Sequence, residues 1–462
     1  MQFPVRHGVI WLSRRHPLAA VSAGAALLLL FYALVKPALG IGIYDLSLIG
    51  WDLAFATGYV WMTLALLTAL SLHLLWQPRG AGGHSIIGLV WLLGVCLAVQ
   101  VVRVVNSDGL LIVNILAGLL WFNLLYWCRS AIPWFRPLLP AFLIGISSYY
   151  ALFIVAHAAG IAPAYQGMHF FYAGTERLAI IFAHPNHLGN LLAFCLILLA
   201  SFTVTASRPV SVVALWLLLA PIVYGLLATY SRGAWLGCLV GLVVTLWLLR
   251  GRAPWTRLAL SCLGLSVLLL GGQALLRHPR TVTARIITSA PVADAAIGNR
   301  LHVWRGATRL IADHGLWGVG IGQFGPVFNA RYKPAPVQHE SYASALNNYL
   351  TLAAEAGLPL AVLYLVTLGW ALLLAIRGAA RSGLPAGAEI GLVGGVVSLL
   401  VFAGTTYTLT RVYAGFLTWS VLGYLVAGAM SSPRTQGGAP LPPAAAPPAA
   451  APGASNCPGD FR

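Results

Sequence analysis

The chain has 462 residues, of which 59% are hydrophobic and only 8% are charged, and its mean hydropathy is +0.84. Soluble domains carry roughly 25% charged residues, so this composition excludes a soluble globular protein and indicates a polytopic membrane protein. The formal net charge of +17 does not indicate a nucleic-acid partner, because the arginines flank apolar stretches and no soluble basic domain is present to hold a duplex.

Apolar stretches long enough to cross about 30 Å of hydrocarbon as helices recur along the chain. We predict an all-α polytopic membrane protein with about twelve transmembrane helices in one domain, residues 1–432. The signal-peptide-like start is interpreted as an uncleaved first helix, because many more spans follow it. The predicted spans are 17–35, 55–76, 86–103, 109–127, 138–158, 188–205, 210–229, 233–249, 258–276, 352–376, 387–405 and 412–430.

The positions of the basic residues predict the orientation of these spans. If both ends lie inside, the arginine-rich segments fall on the cytoplasmic side and the short outer loops hold single cations, as the positive-inside rule requires. The single outer cations are Lys36, Arg103, Arg177, Arg232 and Arg411.

Two longer segments interrupt this pattern. Residues 277–350 form a large outer loop, and residues 433–462 form a Pro/Ala-rich tail that we expect to be disordered and cytoplasmic. Within the loop, the segment "NRLHVWRGATRLIADHG" has helical spacing and ends at a glycine, which predicts an amphipathic helix at the membrane surface. Its apolar face is predicted to carry Leu301, Trp304, Thr308 and Ile311.

The segment "ATYSRGAWLG" places Arg232 between two apolar runs. An arginine at the centre of a span costs about 2.5 to 3.5 kcal/mol, and less near an interface. An interfacial topology residue is the alternative interpretation, but the positive-inside rule gives no reason for an outer arginine. We therefore expect Arg232 to bind an anion, with Ser231 beside it as a hydroxyl donor, because a planar guanidinium suits bidentate binding of phosphate.

The other arginines that we predict on the outer side also indicate an anionic ligand. Arg177, Arg232, Arg300 and Arg411 come from four separate segments. We predict that they converge on one outward-facing cavity, where a basic lining fits a lipid-linked pyrophosphate. No cofactor is predicted.

The segment "FAHPNHLGN" brings His184, Asn186 and His187 to the start of a span. A His-x-x-His pair is a possible metal site, but Pro185 lies inside it and no third ligand is evident, so no metal is predicted. A polar lining for a sugar is the preferred interpretation. The sequence "GIGQFG" matches a dinucleotide-binding pattern without a βαβ unit, and we interpret its glycines as tight turns.

The segment "VQHESYASALNNYLTLAAEAGLPL" carries His339, Glu340, Asn347 and Glu355 into a span. A neutral histidine or a carboxylate next to a sugar hydroxyl can remove its proton. We predict His339 or Glu340 as the proton acceptor; the alternative for His339 is a solvated loop residue.

Together these segments resemble the O-antigen ligase and O-antigen polymerase superfamily of bacterial membrane glycosyltransferases, from about Arg177 to Leu360. The resemblance is carried by "ERLAIIFAHPNHLG", "TYSRGAWLG", "NRLHVWRGATRLIADHGLWGVGIGQF" and "LNNYLTLAAEAGLPL". The family's histidine in the last element falls on Leu346 here, and Asn347 keeps the next position. Either His339 takes the proton-accepting role, or Glu340 does, or no base is used.

The resemblance implies a metal-independent, inverting glycosyltransferase of the bacterial inner membrane that acts on the periplasmic side in lipopolysaccharide or surface-polysaccharide biosynthesis. The donor would be a glycan on undecaprenyl pyrophosphate in the lipid bilayer, and the acceptor a lipid or glycan hydroxyl such as that of lipid A-core. The implied catalytic residues are Arg232 and Arg300 with His339 or Glu340. The implied substrate-binding residues are Arg177, Asn186, His187, Ser231, Trp304, Asn347 and Arg411.

Three alternatives remain open at this point. A polymerase of O-antigen or exopolysaccharide and a protein O-oligosaccharyltransferase would share these motifs. A transporter of an anionic lipid-linked glycan belongs to another class, and it predicts charges near mid-span and two related halves. Neither of those features is visible in the sequence.

Overall fold

The structure is a computed structural model, and it describes residues 84–103, 109–131, 135–161, 171–172, 175–179, 184–206, 208–275, 291–381, 386–407 and 412–431. The first two predicted spans, Lys36, Arg411 and the predicted tail lie outside the described residues.

Thirteen α-helices, one short antiparallel strand pair and two single helical turns, Phe328–Tyr332 and Ala335–Val337, make up the regular structure of the described residues. The strands are β1 (Phe171–Tyr172) and β2 (Thr175–Glu176). The helices, numbered along the described chain, are α1 (His84–Arg103), α2 (Gly109–Ala131), α3 (Phe135–Ala158), α4 (Pro185–Thr205), α5 (Pro209–Ala228), α6 (Arg232–Leu249), α7 (Trp255–Leu275), α8 (Pro291–His314), α9 (Phe324–Val327), α10 (Asn348–Ala356), α11 (Leu358–Arg381), α12 (Ala386–Ala403) and α13 (Val412–Ser431).

The helical architecture predicted from composition is confirmed for the described residues, and the length and apolar composition of its helices agree with a polytopic membrane protein. Six helices there, α3 to α7 and α11, are long and apolar enough to cross a membrane, and α1, α12 and α13 contain shorter apolar segments. The predicted spans from 86–103 onward each overlap a helix. The total of twelve spans and the assignment of sides stay predictions.

One predicted span, 352–376, is wrong in its start. Its first residues belong to the short helix α10, and the long helix α11 begins only at Leu358. Gly357 separates the two helices with a φ of 84°, and a Cβ atom there would lie 2.7 Å from the carbonyl oxygen of Leu316. The close approach of the chain after α8 therefore requires glycine and ends the helix.

Helix α4 is the centre of the bundle. It is buried along nearly its whole length and packs against α5, α6 and α12. Helices α6 and α12 approach each other closely, since a Cβ atom on Gly241 would lie 2.5 Å from the carbonyl oxygen of Gly394. Small residues permit such contact between helices in a bilayer. The bundle thus holds the start of α4, the start of α6 and the end of α12 at one end.

A second core lies under the long loop. Helix α8 occupies the predicted helical segment, but the predicted apolar face is wrong at Leu301 and Thr308, whereas Ile311 does pack against the buried cluster. The buried side chains are Val303, Ala307 and Leu310, whereas Leu301 is 45% exposed and Thr308 is exposed. The buried face of α8 packs in one cluster with aromatic side chains of the following loop, Phe324, Phe328 and Tyr342. The loop's own aromatic residues therefore select the face that is buried.

Candidate functional site

The turn between α5 and α6 has a constrained backbone. Tyr230 is only 1% exposed and adopts a φ of 51°, a region that side chains other than glycine seldom occupy. Thr229 and Ser231 are also buried, and the Ser231 N–H donates to the Thr229 hydroxyl at 3.3 Å. Such strain persists only where the surrounding packing fixes it, and it is frequent at functional sites. The turn delivers Arg232 as the first residue of α6.

Arg177 is bound to this turn. Its Nε donates to the Thr229 carbonyl oxygen at 2.8 Å, and its Nη2 donates to Oδ1 of Asn186 at 2.9 Å. The backbone N–H of Leu178 also donates to the Ala228 carbonyl oxygen at 2.9 Å. The segment after β2 is therefore fixed across the end of α5 and the start of α4.

His184 caps the start of α4, and its pKa responds to its surroundings. Its Nδ1 accepts a hydrogen bond from the Asn186 N–H at 3.0 Å, and its ring centroid lies 6.0 Å from that of His187. Burial first, and then the charges of Arg177 and Arg300, lower the pKa of His184 to about 4. His184 is therefore neutral at physiological pH, and two arginines from distant segments act on the same ring.

Arg300 reaches the same place from α8. Its Nη1 donates to the Thr405 carbonyl oxygen at 2.8 Å, just after the end of α12. Thr405 also packs against the start of α6, because a Cβ atom on Gly233 would overlap the Thr405 hydroxyl. We define the arginine site as Arg177, His184, Arg232, Arg300 and Thr405.

Arg232 differs from the other two arginines of the site. Its side chain is partly buried, and it forms no hydrogen bond or ion pair with any residue that the structure describes. A partly buried guanidinium gains strongly from a charged acceptor because the surrounding dielectric is low. Arg232 is therefore the arginine of this site whose charge no described residue pairs.

Trp304 lies one turn after Arg300 on α8. Its indole Nε1 is buried and has no hydrogen-bond partner among the described residues. The indole N–H is a donor only, so an oxygen of a bound ligand would satisfy it. The spacing of four residues places Trp304 and Arg300 on one face of the helix.

The two candidate bases have different surroundings. Both His339 and Glu340 are exposed, in the loop that follows the single turn Ala335–Val337. Glu340 accepts from Nδ2 of Asn299 at 2.9 Å and from the Tyr342 hydroxyl. Burial and the hydrogen bond to Glu340 raise the pKa of Tyr342, so its hydroxyl stays a donor. Both Glu340 oxygens are thus engaged, next to the residue that precedes Arg300.

His339 has no such engagement. It forms no hydrogen bond or ion pair with a described residue. Its ring is therefore available to a substrate that enters from solvent.

Leu346 and Asn347 form the entry to α10. Asn347 caps this helix, and its Oδ1 accepts from the backbone N–H groups of Tyr349 and Leu350 at 2.9 and 3.2 Å. Leu346, at the position of the family's histidine, has a φ of 51°. Histidine and asparagine populate this region more often than leucine does. The backbone at this position therefore suits the residue that the family carries there.

Glu355 organises the glycine-rich loop. It is 2% exposed, its Oε1 accepts from the Phe324 N–H at 3.2 Å, and its carbonyl oxygen accepts from the Gly320 N–H at 2.9 Å. Gly318, Gly320 and Gly322 all have positive φ values. The interpretation of the glycines in "GIGQFG" as tight turns is confirmed for Gly320 and Gly322, and the Glu355 carboxyl group fixes this loop relative to α10.

The sequence reasoning did not identify two residues near the arginine site. Thr405 joins Arg300 to α6, and nothing in its local sequence signals that contact. Asn190 lies one turn after Asn186, is fully buried, and has neither amide atom hydrogen-bonded to a described residue. An asparagine inside an apolar span was a usable signal, because a buried amide without partners is costly.

One of the comparisons with known proteins, the match to a family model, agrees with the motifs. Residues 214–365, about one third of the chain, match the family described as O-Antigen ligase, which confirms the resemblance to the O-antigen ligase superfamily. No curated protein matches the chain in sequence. One similar solved structure is described as "Structural coordination of polymerization and crosslinking by a peptidoglycan synthase complex". That alignment covers 74% of this chain and 96% of the other at 20% identity, with a TM-score of 0.38, too low to support a functional comparison.

Proposed function

We propose that this membrane protein, which carries an O-antigen ligase domain over residues 214–365, is an inner-membrane glycosyltransferase of the O-antigen ligase type. It transfers a glycan from undecaprenyl pyrophosphate to an acceptor hydroxyl, on lipid A-core or a similar molecule. The reaction takes place on the periplasmic side, in the transmembrane domain of residues 1–432.

The observation that supports this proposal is the arginine site itself. Arg177 and Arg300, 123 positions apart in sequence (300 − 177), both act on His184, and the partly buried Arg232 begins the helix that packs against Thr405. If Arg232 had only a structural role, we would expect the fold to supply a carboxylate partner for its charge. A diphosphate supplies that charge from outside the protein, and guanidinium groups bind it in bidentate geometry.

The proposed reaction develops negative charge on its leaving group, the pyrophosphate. The acceptor oxygen forms a bond to the anomeric carbon while the bond from that carbon to the pyrophosphate oxygen breaks, with inversion at the carbon. The electron pair of the broken bond leaves with undecaprenyl pyrophosphate. Arginines already in position stabilise this developing negative charge in the transition state without reorganisation.

The proton of the acceptor hydroxyl goes to His339 in this scheme. His339 is exposed and not engaged by any described residue, whereas hydrogen bonds hold both Glu340 oxygens. Glu340 then acts as a positioning residue, since it ties the His339 loop to Asn299, next to Arg300. Asn186, His187, Ser231, Trp304 and Asn347 belong to the proposed sugar and diphosphate surroundings, together with Arg411 from outside the described residues.

Reconstitution tests the proposal directly. The purified protein in proteoliposomes is supplied with an undecaprenyl-pyrophosphate glycan and candidate acceptors in the presence of EDTA, and release of undecaprenyl pyrophosphate is measured. We expect transfer without added metal. Arg232→Lys should already lower turnover because a point charge cannot replace the bidentate fork.

The matched control is Arg377→Lys. Arg377 is exposed in the last part of α11, away from the arginine site, so its exchange should leave turnover unchanged. Full activity in Arg232→Ala, or transfer that needs an added divalent metal, would refute the proposal. The midpoint of thermal unfolding is measured for each variant. An unchanged midpoint shows that a loss of turnover is not caused by a loss of structure.

A further inference from the structure

A groove lies at the end of the bundle opposite to the arginine site. It is formed where α4 ends and where α5 and α7 begin, and its volume is about 430 Å³. Val212 and Trp216 of α5 and Leu260 and Gly264 of α7 line it, with Arg257 at the same rim. Its size falls in the range of small-ligand sites.

The walls of the groove belong to the outer surface of the bundle. Leu260 is 65% exposed, and Val213 and Leu217 on α5 and Leu263 on α7 are also exposed. In a spanning helix such residues face hydrocarbon. The floor is the Trp216 ring, because a Cβ atom on Gly264 would lie 2.6 Å from its Cη2 atom. The groove therefore has the lining that an acyl chain requires.

The mouth of the groove carries positive charge that the protein does not neutralise. Arg257 is exposed, and its Nη1 makes one long contact of 3.5 Å with the Ala206 carbonyl oxygen. Arg208, two residues after Ala206, is exposed, and its guanidinium forms no hydrogen bond or ion pair with a described residue. Helices α5 and α7 also begin here, and their N-terminal ends favour an anion.

The other two arginines near the groove, Arg250 and Arg252, already contact groups of the protein. Arg252 donates to the carbonyl oxygens of Ala379 and Ala380 at the end of α11. The Arg250 guanidinium stacks over the Trp247 ring at 5.1 Å. Among the described residues of this corner, Arg208 and Arg257 are thus the cations that remain for a ligand beside the groove.

We infer that the groove between α4, α5 and α7 binds one anionic glycerophospholipid, with its phosphate at Arg257 and Arg208 and one acyl chain along Trp216 and Gly264. The charge of the mouth selects an anionic headgroup over a zwitterionic one, because basic residues beside a membrane attract anionic lipids. The long separation from Arg232 along α6 makes this site distinct from the proposed donor site.

Native mass spectrometry of the full-length protein, released from micelles that contain equal amounts of phosphatidylglycerol and phosphatidylcholine with the same acyl chains, tests the inference. We expect one retained phosphatidylglycerol per chain in excess of phosphatidylcholine. The double variant Arg208→Gln/Arg257→Gln should lose that preference about tenfold or more. Arg208→Lys/Arg257→Lys should keep it, because the charge is retained.

A second measurement tests whether the acyl chain of the lipid binds along Trp216. Phosphatidylglycerol with brominated acyl chains should quench tryptophan fluorescence less in Trp216→Phe than in the unsubstituted protein, and Arg377→Gln serves as the charge control. Equal retention of the two lipids, an unchanged preference in the double glutamine variant, or stronger retention of undecaprenyl phosphate than of phosphatidylglycerol would overturn the inference.

Discussion

Two arginines lie at opposite ends of α12. One has a charged partner in the protein, and the other has none among the described residues. Arg129, at the end of α2, is 6% exposed, forms an ion pair with Glu389 in the first turn of α12, and lies 4.1 Å above the Tyr424 ring. Arg232 lies beside Thr405, just after the last turn of α12, and has no charged partner among the described residues. Burial of an arginine alone does not mark a binding site. The distinguishing feature is whether the protein supplies the counter-charge.

The largest effect should come from removing the unpaired charge. Arg232→Ala should lower turnover by about 10² to 10³-fold, the usual cost of losing one preorganised donor to a developing negative charge. Thermal unfolding should change little, since the Arg232 side chain makes no hydrogen bond with a described residue. Steady-state transfer in proteoliposomes measures the first effect. A variant that unfolds early but keeps its turnover would place Arg232 in the same class as Arg129.

His339, the proposed proton acceptor, extends the comparison, because Glu340 beside it accepts a hydrogen bond from Asn299, the residue before Arg300 of the arginine site. His339→Ala should lower turnover by about 10²-fold, the lower end of what a general base contributes. Leu346→His in that background should restore part of the rate, since the positive φ at Leu346 accommodates histidine. The measurement is the pH dependence of turnover for the three proteins.

The Leu346→His rescue has its own control. Leu346→Asn fits the same backbone conformation but supplies no comparable base. Equal rescue by asparagine and histidine would show that backbone relief is responsible. Normal turnover in His339→Ala would remove His339 and direct attention to Glu340.

The paired arginine should show the reverse behaviour. Arg129→Gln leaves Glu389 without its partner, and breaking a buried pair in this way costs about 3 to 5 kcal/mol of folding stability. We expect a lower midpoint of thermal unfolding, while the turnover per folded molecule stays the same. Arg129→Gln/Glu389→Gln should recover part of the loss. An unchanged midpoint in the single variant would contradict the structural role of this pair.

The smallest effect concerns His184, whose pKa is lowered first by burial and then by the charges of Arg177 and Arg300. Its pKa of about 4 in the folded protein lies below the usual value of about 6.5. The unfolded chain therefore binds more protons between these values, and stability is lost as the pH falls through this window. His184→Asn keeps a capping side chain but does not titrate. The unfolding midpoint should fall less steeply from pH 6.5 to 4.5 in the variant; parallel curves would argue against the assignment.

The sequence predicted the parts of this comparison that depend on local chemistry. Apolar length located the helices from His84 onward, and an outer arginine without a topological reason indicated Arg232. The contacts that define the site are long-range and were not predictable. Arg300 and Thr405 meet across 105 residues, and Glu340 is engaged by Asn299 from another segment. The buried face of α8 was also missed, because aromatic residues of a later loop select it.

Binding of undecaprenyl pyrophosphate to the purified protein tests the central claim most directly. Equilibrium titration should show that Arg177→Gln, Arg232→Gln and Arg300→Gln each weaken binding, whereas Arg377→Gln and Arg129→Gln leave the affinity of the folded protein unchanged. The same affinity in all five variants would contradict the account, because the arginine site would then hold no diphosphate.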